Sequence, residues 1–141
     1  MKIREFRFPE DYECALNLWA GMEVGVQVGR SDTPEEIQKK LQRDPDLFLV
    51  AENDQKIIGT VIGGFDGRRG MIYHLAVQSG EREHGVGSAL LAEVEKRLQA
   101  KGCRKCYLLI TAENTGAARF YEQRSWNEMS TDRIFAKEFF G

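Results

Sequence analysis

Two apolar, strand-like runs flank one amphipathic segment between residues 71 and 111, and this arrangement restricts the fold more than any other feature of the chain. MIYHLAV (71–77) leads through a polar loop into a segment from Gly85 to about Ala100. There Val86, Leu90, Leu91, Val94 and Leu98 recur at helical spacing, with Glu and Lys between them. Gly102 is the stop signal for that helix. CYLLIT (106–111) is nearly continuously apolar, as a strand covered on both faces must be. A helix joining two strands of one sheet makes a right-handed crossover, so the two runs are expected as parallel neighbours. An α/β fold follows.

The remaining elements extend that core. Ile3 to Phe6 reads as a short strand, and Pro9, Glu10 and Asp11 open a helix with Tyr12, Ala15, Leu16 and Trp19 on its apolar positions. The glycine-containing stretch 21–32 has little periodicity and is expected to be a loop. Thr33 as N-cap, Pro34 at the first helical position and Glu36 behind it start a second helix, which ends near Arg43. LFLVA (47–51), IIGTVIGGF (57–65) and MIYHLAV are separated by the turns ENDQK and DGRRG, which predicts three successive antiparallel strands. A helix over about Thr115 to Gln123 and strands near Trp126–Met129 and Ile134–Phe139 complete the chain. The expectation is one domain, 1–141, built on a mixed, mainly antiparallel sheet of six to seven strands with helices on both faces.

Composition narrows the function. The 141 residues carry a net charge of -2, and the 20 basic side chains are scattered rather than gathered into a stripe, so no nucleic acid partner is expected. The longest uncharged apolar stretch, Ile57 to Phe65, is too short to span a bilayer, and MKIREFRFPEDYE lacks the apolar core of a signal peptide. A cytoplasmic protein without a membrane partner is the resulting expectation. Of the three cysteines, Cys103 and Cys106 form a CxxC without the second ligand pair a zinc site needs. No metal is expected.

The loop before the crossover helix carries the chemistry. A glycine-rich turn into a helix N-terminus presents outward N–H groups and a partial positive charge to an anion, and Gly85 and Gly87 supply such a turn. The same glycines also suit a tight loop and close helix packing. GVGSAL (85–90) approximates a dinucleotide fingerprint, but the acidic residue required about 20 positions on is replaced by Cys106, Tyr107 and Leu108.

The order MIYHLAV, loop, Arg82, Gly85, Gly87 and amphipathic helix resembles the acyl-CoA motif Q/R-x-x-G-x-G/A of the GNAT superfamily of N-acyltransferases. NTGAARFYEQRSW (114–126) is similar to that family's N-x-x-A-x-x-F-Y-E-x-x-G-F segment, with Asn114, Ala117, Phe120, Tyr121 and Glu122 in place. Glu83 stands at a position commonly glycine, Ser79 and Gly80 replace a common Pro-Glu pair, and Ser125 and Trp126 replace Gly-Phe.

This resemblance implies a sheet splayed between strands 4 and 5 and acetyl transfer from acetyl-CoA, as co-substrate, to a primary amine by direct attack, with no metal. It implies that Leu75, Ala76 and Val77 run beside the pantetheine, with the Val77 N–H aimed at the thioester oxygen. Arg82, Glu83, His84, Gly85, Val86, Gly87 and Ser88 would hold the pyrophosphate. Asn114 is a contact for the CoA arm or a helix cap, in the segment that also holds Ala117. Tyr121 is the general acid or a core aromatic.

For the base, period-two alternation puts Met71 and Tyr73 on the face shared with Val77, which makes Tyr73 the candidate. His74 points the other way unless a bulge reorients it, and Glu23 or ordered water are further options. Glu23 and Asp32 are compatible with a cationic acceptor, or are solvated surface charges. The acceptor class is a small-molecule amine or a protein N-terminus, and a homodimer through terminal strand edges is expected. Two rivals stand beside this reading: a non-catalytic GNAT-like module that binds or senses CoA, and a nucleotide-binding oxidoreductase.

Overall fold

β1 (Lys2–Glu5), β2 (Phe48–Asn53), β3 (Lys56–Phe65), β4 (Gly70–Val77) and β5 (Cys106–Leu108) form one sheet in the order β1-β2-β3-β4-β5. The computed structural model that shows this describes residues 1–22 and 26–139, apart from the Glu83 side chain. Neighbouring strands are antiparallel up to β4, and β4 pairs with β5 in parallel. The crossover between those two is α3 (Val86–Ala100), as the apolar spacing requires. At the β2–β3 turn Asp54 and Gln55 both take positive φ, 50° and 65°, the backbone twist that a two-residue hairpin needs.

The sheet is covered on both faces. Phe48 and Val50 of β2 lie with Ala15 and Trp19 of α1 (Tyr12–Ala20) and Ile37 of α2 (Pro34–Arg43) in one buried cluster. On the other face α3 presents Leu90, Leu91, Val94 and Leu98, each at most 1% exposed. This explains why LFLVA is uniformly apolar although its strand is antiparallel: both sets of alternating side chains have a helix to meet. α3 comes so close that a methyl group at Gly63 would sit 2.7 Å from Val94 Cγ2, and one at Gly59 would sit 2.9 Å from Leu90 Cδ1.

One polar cluster pins β1 to β2 and to the start of α1. Arg4 donates to both carboxylate oxygens of Asp11, at 2.7 and 3.1 Å, and to Glu52 at 2.9 Å. Burial by itself raises the Asp11 carboxyl pKa. The hydrogen bonds from Arg4 and from the Arg7 N–H outweigh it and hold the group below the usual carboxylate range.

Residues 1–109 make up one compact unit and 110–141 a second. The second contains α4 (Thr115–Glu122). The expectation of six to seven strands is corrected to five among the described residues. β5 ends at Leu108 rather than Thr111, and residues 126–139 join no ladder, with Ile134, Phe135 and Phe139 exposed at 72%, 86% and 71%. Alternating apolar residues supply two faces, but a strand exists only through the partner that takes its N–H and C=O groups. The C-terminal strands expected at 126–129 and 134–139 are therefore not formed among the described residues, while the N-terminal β1 is an edge strand of the sheet. No helix among the described residues is long and apolar enough to cross a membrane.

The close approach of α3 to β3 yields a test. Gly63→Ala is expected to lower stability by about 1–3 kcal/mol through overpacking against Val94, measured by urea unfolding. An unchanged midpoint would show that the helix yields.

Candidate active site

The site is organised by a β-bulge in β4. Ile62 of β3 pairs with Tyr73 and Thr60 with Ala76, so Val61 alone faces both His74 and Leu75. His74 takes a left-handed backbone conformation, φ 48°, which is uncommon for a residue with a side chain. A buried threonine holds this geometry. The Thr60 hydroxyl donates to the His74 carbonyl at 2.9 Å and accepts the Trp19 indole N–H at 2.8 Å.

The extra residue changes which side chains share a face. Tyr73 pairs with Ile62, a member of the cluster under α1, whereas Val77 pairs with Gly59, which faces Leu90 and Val86 of α3. The expectation that Tyr73 and Val77 share a face is therefore corrected, because alternation by two fails across a bulge. His74 is the residue that the bulge reorients. Its ring lies 4.6 Å, centroid to centroid, from Trp19, and its Nε2 is 2.9 Å from Asp32 Oδ1.

Asp32, Ile37, Lys40, Ile62, Tyr73 and His74 are among the residues lining a cavity of about 1070 Å³ beneath α2. Tyr73 is 49% exposed, and burial of the rest raises its phenol above the ordinary tyrosine value. A phenol shifted that way donates a hydrogen bond at neutral pH and is a poor base. In the sequence Asp32 reads as a charge compatible with a cationic acceptor, but nothing there links it to His74.

The other half of the site is backbone. The β4–β5 pairing runs from Gly70–Cys106 to Ile72–Leu108 and stops, while β4 continues to Val77. The Gln78 N–H donates to Ile58 O on β3, at 2.8 Å. By strand alternation the Val77 and Leu75 N–H groups point to the opposite edge, which β5 has left. Beyond Val77 a 3-10 turn (Ser79–His84) ends at Gly85, φ 76°, and α3 begins. Gly85 is needed there for its left-handed backbone.

Side chains of the turn have both near and distant partners, and Arg82 Nη2 reaches Met22 Sδ at 3.6 Å. Arg82 Nε donates to Val77 O at 3.3 Å, and His84 Nδ1 lies 3.0 Å from Glu81 Oε2. The side chain of Glu83 and all of Glu23 lie outside the described residues.

In the second unit, Asn114 Oδ1 accepts the Ala117 N–H at 3.1 Å, so the helix-cap role of Asn114 is seen directly. Tyr121 packs edge-on against Phe120 and Trp126, and burial pushes its phenol up to about 12. Ser125, where the resembling motif has glycine, is left-handed at φ 71°. The Trp126 N–H reaches Tyr121 O at 3.1 Å and the Ser125 N–H reaches Glu122 O at 3.3 Å, the paired bonds of a Schellman stop. α3 ends by the same pair of bonds at Gly102, φ 94°. Burial, with Cys103 close by, pushes the Cys106 thiol up to about 11, which disfavours a reactive thiolate in the CxxC. No group of three or more candidate metal ligands occurs among the described residues.

The chain is similar to known proteins in sequence and in fold. The sequence model of the acetyltransferase (GNAT) family matches residues 12–126. An acetyltransferase of Pectobacterium atrosepticum is 40% identical over 124 residues, 87% of this chain and 85% of that protein. Ard1 from Thermoplasma volcanium shares the fold with a TM-score of 0.76, at 24% identity over 87% of this chain and 80% of that one. So does PaiA N-acetyltransferase from Thermoplasma acidophilum, solved in complex with coenzyme A, with a TM-score of 0.72 and 21% identity over 87% of each chain.

Ser125 can be tested for the strain its backbone implies. Ser125→Gly is expected to raise stability by roughly 0.5–1 kcal/mol, the left-handed penalty less the added freedom of the unfolded chain. Thermal unfolding reads this, and a lower Tm would contradict it.

Proposed function

The chain belongs to the acetyltransferase (GNAT) family, and from that premise we propose that it moves the acetyl group of acetyl-CoA directly to a primary amine within a ternary complex. Acetyl-CoA is the family's acetyl donor. The acceptor in this reading is a small-molecule amine or a protein N-terminus, and residues 1–141 act as one N-acetyltransferase domain. The observation that carries the proposal is the edge of β4, abandoned by β5 after Ile72 and leading into a glycine turn at the start of α3.

In this reading the open edge at Leu75, Ala76 and Val77 takes the amide groups of the pantetheine as a further strand would, and the Val77 N–H stabilises the thioester oxygen as it becomes an oxyanion. The turn from Arg82 to Ser88 takes the pyrophosphate. Backbone N–H groups do most of that work, since a helix start offers an anion donors that need no reorganisation. Asn114 and Ala117 contribute the opening of α4, whose shape the Asn114 cap preserves.

Tyr121 is the general acid. Its phenol retains the proton at neutral pH, as a donor to a departing thiolate must. Tyr73, likewise protonated, orients the acceptor as a hydrogen-bond donor. A cytoplasmic setting suits the three unpaired thiols, and a homodimer through a terminal strand edge such as β1 is part of the same reading.

Two measurements test the proposal. Titration calorimetry is expected to show one CoA or acetyl-CoA bound per chain, and the absence of binding by folded protein would remove the reading. Tyr121→Phe is expected to lower kcat about 100-fold while leaving acetyl-CoA affinity nearly unchanged; native turnover would take the acid role away from Tyr121.

A further inference from the structure

Acetyl transfer to an amine needs a group that removes a proton, because alkyl amines are ammonium ions at neutral pH and an ammonium has no lone pair. No carboxylate on β4 serves, and the Tyr73 phenol is shifted in the wrong direction.

From the geometry of the bulge we infer that His74 is the general base of this reaction and that Asp32 is the residue that positions it. The inference rests on the proposed acetyl transfer and assigns a step that reading leaves open.

Four observations converge on the pair. The bulge brings His74 onto the cavity face, where strict alternation would have turned it away. Its left-handed backbone is a strained conformation of the kind that persists where surrounding structure enforces it, here the Thr60 hydroxyl on its carbonyl.

Asp32 is itself immobilised. Its Oδ1 meets His74 Nε2 at 2.9 Å, its Oδ2 accepts the Gly29 N–H at 3.0 Å and its carbonyl accepts the Tyr12 hydroxyl at 2.8 Å. A carboxylate only accepts, so the Nε2 position carries the hydrogen and the lone pair belongs to Nδ1.

The fourth observation concerns that lone pair. His74 makes no other side-chain hydrogen bond among the described residues, and no buried side-chain nitrogen or oxygen there lacks a partner. Nδ1 is therefore open rather than sealed in the core. An imidazole with one nitrogen tied to a buried aspartate and the other open is the arrangement in which a carboxylate fixes the tautomer of a base.

The step balances without any further reagent. An ammonium acceptor gives one proton to His74 Nδ1, and the freed amine nitrogen bonds to the thioester carbon. The C–S bond then breaks as the Tyr121 phenol gives its proton to the departing thiolate, and the nitrogen's second proton passes to solvent, from which the phenolate takes one back. The imidazolium releases its proton to solvent, and Asp32 takes no proton in any step.

The test compares two nucleophiles, since hydroxylamine has a free lone pair at neutral pH and needs no base. The alkyl amine probe is the fastest turned over of lysine, putrescine, glucosamine and a Met-Ala dipeptide. His74→Gln and His74→Ala are expected to lower kcat with that amine about 100-fold while changing hydroxylamine turnover, corrected for the uncatalysed rate, less than about threefold. Asp32→Asn is expected to show the same selectivity with about a tenfold loss, and added imidazole should restore part of the activity of His74→Ala. Equal losses with both nucleophiles would mean a structural role and overturn the inference, as would native rates with the alkyl amine. If His74→Ala does not fold, His74→Gln decides alone. A wild-type chain that binds no CoA brings down the proposed function itself, whereas an active wild type with an indifferent His74→Gln brings down only the base.

Discussion

The hydroxyl of Thr60 is the point on which the geometry of the site depends. It lies wholly buried in β3, accepts the Trp19 indole N–H and donates to the carbonyl of His74. A backbone carbonyl displaced by a bulge and buried without a partner would cost about 1–3 kcal/mol. By meeting it, Thr60 allows β4 to carry one residue more than β3, and α1 is tied to the same spot through Trp19. The bulge then delivers Tyr73 and His74 to one face while Val77 continues the strand on the other.

This small irregularity separates two kinds of chemistry. On one side is a cavity walled by side chains, among them the Asp32–His74 pair and the protonated Tyr73. At the opposite edge the pairing with β5 ends at Ile72 while β4 runs on to Val77 and into the glycine turn before α3. Side chains can choose an acceptor by shape and charge. Main-chain donors take a carrier whose amides and phosphates are the same for every acyl group. The division suits a family in which the donor is constant and the acceptor varies.

Rigidity elsewhere serves this arrangement. α3 lies against β3 with glycines at its closest approaches, so the start of the helix is fixed relative to the strand edge. Arg4, bridging Asp11 and Glu52, holds the start of α1 against β1 and β2 and so fixes the helix that carries Trp19. Ser125 makes the left-handed turn that Gly102 makes after α3, which shows that the departure from the glycine of the family motif leaves the turn itself intact.

The amino-acid sequence by itself determined the elements with strong periods and caps. α3 and its Gly102 stop, the Thr33 cap of α2, the three antiparallel strands and the parallel crossover all follow from patterns within single segments, because hydrophobic spacing and capping act over a few residues. The glycine turn and the Tyr121 segment were legible for the same reason. Tertiary structure alone decided the rest. Whether Trp126–Met129 and Ile134–Phe139 become strands depends on a partner edge that no local pattern encodes. Which way His74 points depends on a register shift against β3, and what it meets there, Asp32, lies 42 positions away in the chain. A bulge is a property of two strands together, so the face on which a side chain emerges beyond it cannot be read from either one.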